Sequence, residues 1–250
     1  MRTIAVINQK GGVGKTTTTA NLAHALVLNE HKVTVIDLDP QGHLSTSLGI
    51  DYLQRPALDS ALLYDYPIED CVKQVRPGLS LIPAGPDLGE FELAAMRGVK
   101  RGTRLRDAMA GKFQDQDYVL IDCPPASGLL VINALFSTHE TLIPIAGDYL
   151  SLQGLSYLIG TFKNFKKLGH SINELFVMTR FNTRRRLPQQ VMETLQQYFP
   201  KRVLATRIRE AAALAECPSF GKTIFEYRKK SNGAQDYQSL ALDLTHGRTI

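Results

Sequence analysis

The sequence predicts an α/β fold, a mostly parallel, twisted sheet with helices on both faces. Three observations predict it. Short apolar runs alternate with helical stretches along the 250 residues. The first run leads straight into a glycine-rich turn that opens a helix, and two later runs each close on aspartate. Alternation of strand and helix gives a parallel sheet covered on both sides, with its ligand at the carboxyl ends of the strands.

The elements follow in order. Residues 2–8 read as a buried strand and 15–29 as a helix with an Ala/Leu face turned inward. Strands are expected at 32–38, 79–83, 118–123, 140–145 and 174–179. Helices are expected at 89–96, 104–112, 129–136, 150–168 and 189–199. Residues 226–236 read as a surface loop before a last short helix near 237–244. At 44% hydrophobic content the chain can bury a sizeable core, and 1–250 reads as one domain. No helix-turn-helix segment precedes the first strand, so operator-specific DNA binding is not expected.

Between the first strand and helix lies Gln9-Lys10-Gly11-Gly12-Val13-Gly14-Lys15-Thr16-Thr17. Glycines 11, 12 and 14 let successive N–H groups turn toward one point, and the helix N-terminus adds positive potential there, so the loop can hold a polyphosphate. Lys15 is placed to reach its β- and γ-phosphates, and the Thr16 hydroxyl to ligate Mg²⁺. The common pattern G-x-x-x-x-G-K-[ST] requires glycine where this chain has Gln9, so the loop is the deviant form K-G-G-x-G-K-T. Its extra lysine, Lys10, has no local task beside Lys15. It is either a solvated loop residue or a group directed at a second subunit.

The second strand ends in Asp37-Leu38-Asp39-Pro40-Gln41-Gly42. Strand alternation puts both carboxylates on one face. Asp39, further out, is expected to orient or deprotonate an attacking water, and Asp37 to lie in the metal's outer shell. The strand Tyr118-Val119-Leu120-Ile121 closes on Asp122-Cys123-Pro124-Pro125, the form of a Walker B segment. Asp122 would hold a water of the Mg²⁺ shell, and the Pro-Pro pair would begin a loop that senses the γ-phosphate. Cys123 reads as a packing residue, because no histidine is placed to activate it.

Charge is unevenly spread. Residues 180–230 carry 12 Lys/Arg against 4 Glu, whereas 1–179 carry 16 Lys/Arg against 18 Asp/Glu. A basic last third points to a polyanion such as DNA or an acidic membrane surface, against the plainer reading of a solvated face. Arginines outnumber lysines there eight to four, which suits phosphate. Three dispersed cysteines, Cys71, Cys123 and Cys217, indicate neither a disulfide framework nor a metal site within one chain. With no signal-peptide pattern and no run of about 20 apolar residues, a cytoplasmic protein is expected.

Taken together, the loop, Asp37-Leu38-Asp39-Pro40-Gln41-Gly42 and Asp122-Cys123-Pro124-Pro125 resemble the ParA/Soj branch of the ParA/MinD ATPases, which are P-loop NTPase-like. Two more segments extend the resemblance. Asp148-Tyr149-Leu150-Ser151-Leu152-Gln153-Gly154-Leu155 is similar to the family's E-Y-x-x-L-E-G-L, and Leu214 to Ile224 to its L-A-E-A-P-S-F-G-K-T-I. The resemblance implies an ATPase using ATP and Mg²⁺ that forms a homodimer around two ATP molecules and binds DNA non-specifically as the dimer. A cargo-bound, ParB-like activator would then release it by stimulating hydrolysis. Such a protein would be nucleoid-associated and would segregate a chromosome, plasmid or other cargo.

Under the resemblance Lys10 contacts nucleotide in the opposite subunit, Asp39 is the hydrolytic aspartate, Asn182 contacts adenine, and backbone near Pro218 lines the base pocket. Of the DNA-contacting arginines, one falls on Arg184, with Arg185 and Arg186 beside it. The other meets Ala213, so Arg207 and Arg209 are the candidates to supply its charge. The alternative is a MinD-like or other regulator of the superfamily acting on a membrane or protein complex. The tail 237–244 contains no Lys or Arg, which argues against membrane attachment through a basic amphipathic helix. A metabolic enzyme or an iron–sulfur ATPase on the same fold are further alternatives.

Overall fold

The computed structural model describes residues 1–93 and 101–250, with side chains described throughout these except at 149–154. The first half runs β1 (Arg2–Val6), α1 (Lys15–Leu28), β2 (Val33–Asp37), α2 (His43–Ser47), α3 (Leu58–Tyr64), β3 (Lys73–Arg76), β4 (Leu79–Ile82), α4 (Leu88–Leu93), α5 (Arg104–Met109) and β5 (Tyr118–Asp122). The second half runs α6 (Leu129–Phe136), β6 (Glu140–Ala146), α7 (Tyr149–Lys167), β7 (Asn173–Phe181), α8 (Arg186–Tyr198), β8 (Val203–Arg209), α9 (Ala212–Glu216), α10 (Ile224–Tyr227) and α11 (Asn232–His246).

Among the described residues, eight strands form one sheet in the order β3-β4-β2-β5-β1-β6-β7-β8. All neighbours are parallel except the edge pair β3 and β4. The expected fold class therefore holds. Period-two alternation divides the strand side chains between two cores. Ile4, Val6, Val33, Val35 and Leu120 pack under α1 and α11, whereas Ala5, Ile36, Val119, Ile121 and Ile143 pack under the helices from α3 to α8.

Several expectations are corrected in detail. β1 stops at Val6 rather than residue 8. β3 and β8 are strands that the apolar pattern does not predict. β3 is a four-residue polar edge, and in β8 Arg207 and Arg209 interrupt the apolar run. The segment expected as a surface loop, 226–236, is largely helical, because α11 begins at Asn232. Ser231 Oγ accepts the Ala234 N–H at 3.2 Å and caps the helix, so Ser-Asn-Gly is a helix start here rather than a turn. α11 lies against α1 and β8 with Tyr237, Leu240 and Leu244 buried. The helix expected at 89–96 covers Leu88–Leu93, and 94–96 lie outside the described residues. Among the described residues, no helix is long and apolar enough to cross a membrane.

Three strand ends meet at the centre of the carboxyl edge. β1 lies between β5 and β6, and Val6 pairs in register with Asp122, which in turn pairs with Asp37 of β2. The glycine-rich loop leaves β1 directly above this row.

Candidate functional site

Gly14 has φ +88° and stands as the N-cap of α1 with no side-chain hydrogen bond to the helix. This left-handed turn favours glycine, and it leaves the first N–H groups of α1 without a cap, the arrangement that accepts an anion. The polar residues that follow are buried because each has a task. Thr19 Oγ1 lies 3.0 Å from the Lys15 carbonyl and 3.1 Å from Asp122 Oδ1. Thr18 meets the Tyr237 hydroxyl at 3.2 Å. Asn21 donates to the Thr17 carbonyl and accepts the Ile224 N–H.

The loop is strapped to the end of β6. Asn8 Nδ2 donates to the Pro144 carbonyl, and its Oδ1 accepts the Lys10 N–H. The ammonium of Lys10 forms an ion pair with Asp148, which follows β6. Lys15 Nζ turns back to the Lys10 carbonyl at 3.3 Å. Burial lowers the Lys15 ammonium's pKa, while Asp122, Cys123 and Asp39 act the other way.

Asp37 and Asp122 are both fully buried. Desolvation raises both carboxyls; Asp37 raises Asp122 further, and Asp39 raises Asp37. Asp37 is opposed by Ser45, whose N–H and hydroxyl donate to Oδ2 at 2.8 and 2.6 Å. It therefore anchors α2. Asp122 is different. Thr16 and Lys15 favour its charged form, but Asp122 Oδ2 is buried without a hydrogen-bond partner. An orphaned buried carboxylate oxygen beside a threonine hydroxyl fits a hydrated Mg²⁺, which uses few protein ligands and keeps much of its water. Among the described residues no cluster of three His, Cys, Asp or Glu could hold a metal by itself.

A cleft of about 570 Å³ is lined by Gly11, Gly14, Lys15, Thr16, Asp39 and Pro125, among others. Asp39 is nearly buried and makes a short turn, its Oδ1 accepting the Gln41 N–H at 3.0 Å. Gln41, His43, Thr46 and Ser47 line the same cleft. Sequence reasoning missed them, since α2 was not expected and their order after Asp39 was the only available signal.

On the other side of the loop, Gly12, Gly14 and Thr17 also border a second cleft, of about 520 Å³, closed by Thr179, Arg180, Ile208, Glu210, Leu214 and Tyr237. This mixed apolar cavity touches the phosphate loop and has the character of a nucleoside site. The two residues expected at the base do not meet there. Pro218 lines the phosphate cleft. Asn182 borders a neighbouring cleft with Arg184 and Asn232, and its Oδ1 accepts the Arg184 N–H at 3.0 Å. Arg180 and Glu210, for which no nucleotide contact is expected from sequence, line the second cleft instead. Arg180 has φ +49° and donates to the Gly12 carbonyl at 3.3 Å.

The basic residues divide. Arg184, Arg185 and Arg186 are exposed at the start of α8. Arg207 is exposed on β8 with its guanidinium 5.2 Å from the Phe181 ring centroid. Arg209 is held by Asp236, with Nη2 2.6 Å from Oδ1 and Nε at 3.0 Å from Oδ2. This bidentate pair neutralises it within the chain. Ala213, at the position where relatives are expected to carry arginine, is 4% exposed.

Cys123 is 1% exposed, and burial beside Asp122 pushes its thiol strongly up. Burial likewise raises Cys71 and Cys217, each to about 11. None of the three should react with Ellman's reagent at pH 8 until the protein is denatured. Release of one thiolate equivalent from native protein would show that a cysteine is accessible after all.

A left-handed glycine turn, a lysine at the first position of the following helix and a buried aspartate on the adjacent strand define a P-loop nucleotide site of the deviant, two-lysine class. Residues 1–176 match the AAA domain family. The chain is 39% identical over 247 residues to the chromosome partitioning protein ParA of Myxococcus xanthus, covering 97% of this chain and 87% of that protein. It is 37% identical over 247 residues to the sporulation initiation inhibitor protein Soj of Bacillus subtilis, covering 96% and 97%. The cobyrinic acid a,c-diamide synthase of Mycobacterium smegmatis, solved with bound ADP and magnesium, superposes with a TM-score of 0.84 at 30% identity, covering 98% and 94%. The chain belongs to the ParA/Soj branch of the ParA/MinD family of partitioning ATPases.

Proposed function

We propose that the chain is an ATP-driven partitioning switch. It binds ATP with Mg²⁺, dimerises around two nucleotides, binds DNA non-specifically as the dimer, and is released when a cargo-bound, ParB-like activator stimulates hydrolysis. One observation carries this reading: the uncapped start of α1, Lys15, Asp39 and Pro125 share a single cleft, and Lys10 stands at the head of the same loop.

In this reading the loop N–H groups and Lys15 bind and orient the β- and γ-phosphates. The Thr16 hydroxyl and Asp122 would hold Mg²⁺, with Asp37 further out, and the ion would add charge neutralisation at the phosphates. Asp39 holds the attacking water in line and accepts its proton. The base occupies the cleft beside Ile208 and Tyr237, with Asn182 in the neighbouring cleft and Pro218 on the phosphate side of the loop. Among the described residues no arginine lines the phosphate cleft. Stabilising charge therefore comes from Lys15 and from Lys10 of a second copy, and basal hydrolysis is slow. An activator that completes the site in the manner of an arginine finger could raise the rate by about 10³ to 10⁵.

The DNA face centres on Arg184, Arg185 and Arg186 with Arg207, while Arg209 contributes through its ion pair by positioning β8. Dimerisation doubles this surface, and affinity rises steeply with the number of phosphates contacted. Arg184→Glu is expected to weaken binding to random-sequence duplex DNA at 100 mM salt. The slope of log K against log salt should fall by about 1 per lost phosphate contact. Nucleotide affinity should stay unchanged. Fluorescence anisotropy across a salt series measures both, and an unaltered slope would move the DNA face elsewhere.

A further inference from the structure

α6 begins seven residues after Asp122, and the loop between them carries Pro125 into the phosphate cleft. The helix has no cap of its own. Gly128 is its N-cap, no side chain of the cap accepts a helix N–H, and no acid occupies the first turn. Its first two N–H groups go instead to Glu92 of α4. Leu129 donates to Oε1 and Leu130 to Oε2, each at 2.9 Å. A carboxylate receiving two N–H groups at the positive end of a helix is a charge-assisted, two-point contact.

Gly128 makes the contact possible. Its φ of −88° suits any residue, but a Cβ there would lie 1.4 Å from Glu92 Oε1. Space for the carboxylate, rather than backbone freedom, requires the glycine.

Leu88 and Phe91 fix α4 in the core. This six-residue helix therefore holds the end of the Pro125 loop through Glu92. We propose that Glu92 is a positioning residue that couples the Pro125 loop to the core through α4, so that the loop's answer to a terminal phosphate depends on this carboxylate. This inference rests on the reading of the cleft as an ATP site whose Pro125 loop senses the γ-phosphate.

The test is hydrogen exchange over 123–131, with Mg²⁺ and either ADP or a non-hydrolysable ATP analogue. It is run on the full chain as wild type, Glu92→Gln and Gly128→Ala. In the wild type the ATP analogue should slow exchange there more than ADP does. In Glu92→Gln the amide keeps one acceptor and turns a donor toward the other N–H. The extra protection at 123–131 should then vanish, and the preference for the ATP analogue over ADP should fall by about tenfold, the scale of one charge-assisted hydrogen bond. ADP affinity should stay within about twofold, since the contact lies beyond the groups that hold the first two phosphates. Gly128→Ala displaces the carboxylate and should reproduce the effect without touching Glu92.

If the wild type shows no difference between the two nucleotides, the sensing reading fails and the coupling with it. If the difference persists undiminished in both variants, the coupling is wrong and the sensing reading stands. Equal loss of both nucleotides together with a lowered melting temperature would make Glu92 a structural cap alone, which also overturns the proposal.

Discussion

Lys10→Ala is expected to abolish dimers that depend on ATP while sparing the binding of ADP to the single chain. In the proposed reading the loop holds nucleotide through its own N–H groups and Lys15, and the Lys10 backbone carbonyl lies 3.3 Å from Lys15 Nζ. Its side chain is directed to Asp148. Lys10 and Asp148 are 28% and 41% exposed in that pair, and ion pairs of such exposure are worth about 0–1 kcal/mol. Exchanging Asp148 for the polyphosphate of a second subunit therefore costs little and gains a charge-assisted contact with a more highly charged partner. Sedimentation velocity with Mg²⁺ and ATP checks the first half of the expectation, and a fluorescent ADP titration checks the second. Lys15→Ala is the control that should lose both. Dimers persisting unchanged in Lys10→Ala would refute the role across subunits.

How far the site could be read from sequence depends on how far apart its partners lie along the chain. The phosphate loop was legible because its glycines, two lysines and threonines are contiguous and flanked by an apolar strand and a helix. Asp39 and Asp122 were legible because each ends an apolar run. The contacts that orient these groups were not, since they join residues remote in sequence. Lys10 and Asp148 are 138 residues apart, Glu92 and Leu129 are 37 apart, and Arg209 and Asp236 are 27 apart. The last case matters for function. An arginine in a basic segment reads as available charge, and only the fold brings Asp236 beside it. Asn182 lines the cleft next to the one beside Ile208 and Tyr237, its Oδ1 accepting the Arg184 N–H at the turn into α8. β8 escapes the apolar pattern because arginines alternate with its apolar residues, as a half-exposed edge strand permits.

Asp39→Ala is expected to bind ATP and dimerise but to hydrolyse at least about 10² times more slowly, the lower end of what a positioned general base contributes. Asp39 is suited to that task rather than to holding the fold. One oxygen accepts the Gln41 N–H at 3.0 Å, which fixes the direction of the carboxylate, and the residue lines the phosphate cleft. Asp37, two residues earlier, has its Oδ2 engaged by Ser45 twice over, so removing it should unfold α2 before it informs on catalysis. The two aspartates therefore separate by phenotype. Asp37→Ala should lower the melting temperature in the absence of nucleotide, since a buried N–H and hydroxyl lose their acceptor. Asp39→Ala should leave that temperature nearly unchanged and should instead accumulate the ATP-bound dimer on DNA. Phosphate release measured with and without DNA, alongside light scattering at fixed ATP, distinguishes these outcomes. Wild-type turnover in Asp39→Ala would assign the water to another group on the cleft wall, which His43 also lines.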